Sequence, residues 1–155
     1  MYLWIMSIAD FNGDGHPDLF WQDPVTGLAQ IWLMGGAQGI TLLNAVNLTA
    51  SNPWKIVGTG DFNGDGRPDV VWQDPVSGAV QVWYLGGTLG NVVTSATNLT
   101  ASNTWRIVSI GDFNGDGHPD VVWQDPASGA SAVWFLGGAQ GVTLAGSAAL
   151  SGGNV

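Results

Sequence analysis

Three copies of one nine-residue segment carry most of the side chains that could do chemistry. The second copy reads Asp61-Phe62-Asn63-Gly64-Asp65-Gly66-Arg67-Pro68-Asp69, and the others start at Asp10 and Asp112, 51 residues to either side. Side-chain oxygens recur at positions 1, 3, 5 and 9. They belong to Asp10, Asn12, Asp14 and Asp18, to Asp61, Asn63, Asp65 and Asp69, and to Asp112, Asn114, Asp116 and Asp120. Alternating carboxylates and amides on a tightly curled backbone suit Ca²⁺, a hard cation that takes roughly six to eight oxygens. A main-chain carbonyl is expected as a further ligand at position 7, occupied by His16, Arg67 and His118, whose side chains should point outward. Glycines at positions 4 and 6 allow the positive φ that such a curl needs. About one Ca²⁺ per copy is therefore expected, in a role that braces the loop.

Little else in the chain is built for reaction. All twelve acidic residues are aspartates, four in each 51-residue frame and three of those four inside the loop. The net charge of −9 is thus concentrated at the loops, and the charges of three bound Ca²⁺ would bring it to −3. Lys55, Arg67 and Arg106 are the only Lys or Arg residues, which argues against nucleic-acid partners, since phosphate backbones require a basic face. The same shortage disfavours anionic membranes. Residues 24–54 carry no charge before Lys55, yet Gln30, Gln38, Asn44, Asn47 and the Gly35-Gly36 pair interrupt any spanning segment, so no membrane insertion is expected. With no cysteine there is neither a disulfide nor a thiolate metal site. No Ser/His/Asp set recurs, Arg67 stands where the other copies have histidine, and the paired carboxylates are committed to metal. No enzyme activity is expected. Calcium loops point to an extracellular or secreted setting, although residues 1–4 show no signal peptide.

The elements that hold these loops follow from the pattern around them. In the second repeat, residues 54–60 read as a strand running into the loop, and 70–74 as a second strand. Asp74-Pro75-Val76-Ser77-Gly78 is a turn, with Pro and Gly at positions that favour it. Residues 80–85 form a third strand, and after Gly86-Gly87 a fourth covers about 91–98. No helix longer than a turn is expected. Four short antiparallel strands in about fifty residues describe a β-propeller blade. The frames 3–53, 54–104 and 105–155 divide the chain into three blades of one all-β array. Strand direction places the loop and the Gly-Gly connection on one face. The Asp-Pro turn and the connection back to the next blade lie on the other.

Asp-Phe-Asn-Gly-Asp-Gly-x-Pro-Asp followed by Val-Val-Trp resembles the FG-GAP (VCBS) repeat of integrin α-subunit propellers and of many secreted bacterial proteins. EF-hands and dockerins share the acidic core, but there a helix follows, and EF-hands need a Glu that this chain lacks. Closed propellers have about four to eight blades, so three leave an open arc. The expected completion is a homodimer, two chains closing head to tail into six blades; the competing expectation is a tandem array cut from a longer gene.

Nine tryptophans are the second signal. Trp21, Trp72 and Trp123 share one strand position, Trp32, Trp83 and Trp134 another, and both sets are expected to fill the wedges between blades. Trp54 and Trp105 begin strands beside Asn52 and Asn103, on the face that also carries Asp23, Asp74 and Asp125. An indole beside a carboxylate and an amide suits a sugar, while the alternative for the aspartate is to cap its own turn. The Trp-Gln-Asp-Pro and Val-Trp-Tyr-Leu-Gly-Gly runs resemble blades of the Psathyrella velutina type propeller lectins, whose N-acetylglucosamine sites lie between blades. That resemblance implies glycan partners and a site at Asn52, Trp54 and Asp74, with its copy at Asn103, Trp105 and Asp125. Leu3 departs from the strand-leading Trp, and Gly153-Asn154-Val155 from Ser51-Asn52-Pro53. The competing expectation is a scaffold or protein-interaction propeller of the FG-GAP kind. Asn47-Leu48-Thr49 and Asn98-Leu99-Thr100 match glycosylation sequons of little weight.

Overall fold

A computed structural model describes residues 2–150 of the chain. Its twelve strands form three sheets. The first holds β1 (Trp4–Ala9), β2 (Asp18–Gln22), β3 (Ala29–Gly35) and β4 (Thr41–Thr49). The second holds β5 (Lys55–Gly60), β6 (Asp69–Gln73), β7 (Val80–Gly86) and β8 (Val92–Thr100), and the third β9 (Arg106–Gly111), β10 (Asp120–Gln124), β11 (Ser131–Gly137) and β12 (Thr143–Ala149). Each is an antiparallel meander in chain order, and the described residues contain no helix. The sheets fall inside the three frames read from the sequence; Gly153-Asn154-Val155 lies outside the described residues.

Alternation of β-branched and aromatic residues with polar ones makes these segments strands, and burial shows which face each residue serves. All five residues of β6 are buried. Val70 and Trp72 pack with Phe11, Phe20 and Ile31 of the first sheet, whereas Val71 packs with Ile107, Val121 and Trp123 of the third. The middle sheet is therefore covered on both faces. In β2, Phe20 is buried, but Leu19 and Trp21 on the opposite face are only half-buried. Inner strands run side by side, β5 between β1 and β9, with Ser7 Oγ 2.7 Å from Thr59 Oγ1. The outer strands β4, β8 and β12 are largely exposed. Sheets packed face to face with their first strands innermost have the arrangement of successive propeller blades.

The tryptophans divide more finely than expected. Trp72 and Trp123, 0% and 1% exposed, fill the two wedges. Burying an aromatic side chain of this kind is worth about 1.5–3 kcal/mol. Trp32, Trp83 and Trp134 are half-buried and lie tilted against Trp21, Trp72 and Trp123, with ring centroids 4.8, 5.1 and 5.0 Å apart; Trp83 and Trp134 also pack against the two wedge cores, whereas Trp21 is only half-buried.

Candidate functional site

The three acidic loops link the first and second strands of each sheet and share one edge of the molecule. Each curls around its first aspartate. Asp10 accepts from the backbone N–H of Gly13 (2.7 Å), Asp14 (3.1 Å) and Gly15 (2.8 Å), and Asp112 repeats this with Gly115, Asp116 and Gly117. Asp61 accepts from Asp65 and Gly66. The position-5 carboxylates, Asp14, Asp65 and Asp116, accept from the N–H of His16, Arg67 and His118 at 2.8, 2.9 and 2.8 Å. The His16 and His118 N–H bonds hold the Asp14 and Asp116 carboxyls below the ordinary range, helped by the amides of Asn12 and Asn114. Asn63 makes the same amide contact to Asp65. Gly15 and Gly66, at φ +87° and +84°, close the curl with open space around them.

The position-9 aspartates turn away from solvent. Asp18, Asp69 and Asp120 are fully buried, and each ties its loop to the third strand of its own sheet. One oxygen accepts from Phe11, Phe62 or Phe113 at 2.9 Å, the other from Met34, Leu85 or Leu136 at 2.8, 3.0 and 2.9 Å. Desolvation pushes the Asp69 carboxyl up to about 6 and raises that of Asp18, although three backbone N–H groups oppose the shift in each. Among the described residues no three carboxylate or imidazole groups gather as a metal cluster. With the position-9 group drawn inward, the outer donors are Asp10, Asn12 and Asp14 and their counterparts. As hard oxygens on a preformed curl, they fit a calcium ion in donor type.

Position 7 differs from expectation. The Arg67 side chain turns to the neighbouring sheet instead of pointing outward, its Nη1 donating to Phe11 O at 3.4 Å, and His118 Nδ1 is buried without a partner. A cleft of about 380 Å³ runs between the first two loops, lined by Asp10, Asp61 and Arg67 among others.

On the opposite edge the proposed sugar residues do local work. Asp23, Asp74 and Asp125 accept from the N–H two residues on, at 2.8, 3.0 and 3.0 Å. Asp74 and Asp125 also accept from Ser77 and Ser128 hydroxyls at 2.6 Å, which depresses their carboxyls further than the backbone bonds do. Asn52 and Asn103 accept from Trp54 N–H and Trp105 N–H. The three residues thus share an edge but not one cavity. A cleft of about 160 Å³ gathers Asn103 and Trp105 with Trp123, Ala132 and Trp134, without Asp125.

Gln22, Gln73 and Gln124 also hold functional positions, and their recurrence at the end of an apolar strand is the sequence signal of a buried polar contact. Gln22 Nε2 donates to Trp54 O (2.8 Å) and its Oε1 accepts from Ile56 N–H (3.1 Å), spanning two sheets. Gln73 does the same to Trp105 O (3.0 Å) and Ile107 N–H (3.1 Å).

Compared with known proteins, the FG-GAP-like repeat profile matches residues 10–72 and again 61–123. The chain belongs to the FG-GAP-like repeat family. Each match begins at the first aspartate of one loop and ends at the second-strand tryptophan of the next sheet, so a unit includes the contacts between neighbouring FG-GAP-like repeats. Human integrin alpha-7 is 29% identical over 137 residues, an alignment covering 76% of this chain and 11% of that protein. The chain therefore spans about a tenth of that relative's length. No solved structure matches the chain.

Proposed function

We propose that the chain is a non-enzymatic recognition module of the adhesion or protein-interaction kind, reading its partner with the edge that carries the acidic loops. The cleft between the first two loops carries this reading, because it sets the Arg67 guanidinium beside apolar Ile8 and Pro68, between two loops braced by Asp10 and Asp61, where a protein segment can lie. FG-GAP-like repeats and the similarity to integrin alpha-7 support it, and support an extracellular setting. Ca²⁺ is proposed at each loop, held by Asp10, Asn12, Asp14 and the His16 carbonyl, and by the equivalent residues of the other two loops, while the inward Asp18, Asp69 and Asp120 tie the loops to their sheets. When bound, the ion supplies charge neutralisation that fixes the loop. The chain's own N–H groups at positions 4–7 already orient the carboxylates for it.

The test is binding to a panel of purified extracellular and cell-surface proteins in calcium, alongside a glycan array. Saturable binding to a protein, weakened at least about tenfold by Arg67→Glu, is expected. A blank protein panel with glycan binding would overturn the proposal.

That outcome would favour the lectin reading, which one observation supports. In the third sheet Ala132 replaces the glutamine whose equivalents, Gln30 and Gln81, accept from Trp32 and Trp83 Nε1. The space beside Trp105 and Trp134 is left open there, and the buried Trp123 Nε1–H in its lining has no acceptor, as is also true of Trp21 and Trp72. A sugar hydroxyl would supply one, with ring C–H groups on the indoles. At about 160 Å³ the cleft is below the roughly 300–1,000 Å³ of pockets enclosing drug-sized ligands, and suits a single ring. Binding of N-acetylglucosamine-type glycans lost in Trp105→Ala would establish this reading; binding retained in that variant would move the site.

A further inference from the structure

The two junctions between sheets are built alike, and each end of the molecule carries one unpaired half of the same junction. At the first junction Phe11 is fully buried against Val70 and Leu85 of the second sheet. At the second, Phe62 is fully buried against Val121 and Leu136, with Ile110 and Val142 beside them. Glycine completes both seats: a Cβ on Gly90 would lie 2.1 Å from Phe11 O, and one on Gly141 2.1 Å from Phe62 O. Phe113, the third member of the series, is 53% exposed.

Its seat exists at the other end. A cavity of about 440 Å³ on the first sheet is lined by Ile8, Leu19, Met34, Gly39 and Ile40 among others. These occupy, two repeats earlier, the positions of Ile110, Val121, Leu136, Gly141 and Val142 that receive Phe62. Ile8 and Ile40 are 61% and 72% exposed.

The glutamine bridge is split in the same way. Gln22 and Gln73 are 1% and 2% exposed, and each clamps the next sheet's first strand. Gln124 is exposed, with Gly129 O at 3.4 Å. The backbone groups that correspond to its missing partners are the C=O of Leu3 and the N–H of Ile5. Ile5 is 51% exposed, whereas Ile56 and Ile107, its counterparts inside the junctions, are 2% and 6% exposed.

We propose that a second copy of this chain completes both ends. Phe113 of one copy seats in the Ile8–Leu19–Met34–Ile40 cavity of the other, and Gln124 bridges to Leu3 C=O and Ile5 N–H. The contact joins unlike surfaces, so it closes only when the rotation returns to its start. Two copies give six blades, within the range of about four to eight found in closed propellers, and three copies would exceed it. The two copies thus meet at two identical junctions.

Light scattering after size exclusion in calcium tests this on the full chain. Wild type is expected at twice the chain mass of 16.1 kDa. Phe113→Arg and Ile40→Asp alter exposed side chains at opposite halves of the junction, and each alone is expected at the single-chain mass. Mixing the two variants should restore the dimer, since one junction is then wild type and the other pairs opposite charges. A wild-type protein that stays at 16.1 kDa would overturn the proposal and assign these faces to another blade or partner. So would single variants that remain dimeric, a mixture that stays monomeric, or growth past two copies.

Discussion

Replacing Gln73 with leucine isolates what one side chain contributes to the contact between sheets. Gln73 is 2% exposed and makes three hydrogen bonds, donating to Gly78 O and Trp105 O and accepting from Ile107 N–H. Leucine fills a similar volume but can neither donate nor accept. Ile107 N–H and Gly78 O are then orphaned in buried places and Trp105 O in a half-buried one. An unsatisfied buried group costs roughly 1–3 kcal/mol, so three such groups cost at least about 3 kcal/mol. For a domain near this length that is a fall in melting temperature of roughly 6–12 °C. Urea denaturation followed by tryptophan fluorescence reads it, with Gln124→Leu as the internal control at a protein concentration where the chain is monomeric. Gln124 is exposed and has one long bond, to Gly129 O, so the control should change stability by less than about 0.5 kcal/mol. A Gln73→Leu cost below about 1 kcal/mol, or an equal cost for both variants, would refute the bridge as a stabilising contact.

Gly141→Ala and Gly115→Ala separate collision from backbone strain. Both glycines have positive φ, +63° and +77°, but a Cβ at Gly115 meets open space while one at Gly141 meets Phe62 O. Gly115→Ala should cost about 1–2 kcal/mol by strain alone, and Gly141→Ala clearly more; equal costs in urea denaturation would refute the close approach. The turn aspartates set an acid limb. The carboxyls of Asp74 and Asp125 are depressed in the folded chain, so their contribution is present above the unfolded value of 3.8 and lost as pH falls below it. Melting curves of Asp74→Asn/Asp125→Asn should therefore fall less steeply than wild type between pH 5 and about 2.5, and parallel curves would contradict the assignment. Asp65→Ala removes a carboxylate proposed to hold Ca²⁺ and should lower the melting temperature in calcium while changing little in chelator.

The strands and loops were legible because each repeat states the same pattern, and a local pattern read three times leaves little freedom. The turn-capping alternative for Asp74 and Asp125 could be seen for the same reason, since an Asx turn is closed within a few residues. Gln22 and Gln73 were opaque because their partners lie 32 and 34 residues away, on the first strand of the next sheet. The inward Asp18, Asp69 and Asp120 share the alternation of the outer donors, and only packing against the third strand separates them. The inward turn of Arg67 is not legible in the loop itself, because its contact, Phe11 O, lies 56 residues away on the neighbouring repeat. The open space near Trp105 depends on one substitution, Ala132 for glutamine, whose effect appears only once β10 and β11 are paired.

Calorimetric titration of the metal-free chain with Ca²⁺ tests the central claim most directly. Three equivalents bound per chain are expected, with a melting temperature that rises as the sites fill. Each site at a hundredfold excess over its Kd adds about 2.7 kcal/mol to the folded state. No heat of binding and an unchanged melt in saturating calcium would contradict a face braced by metal loops.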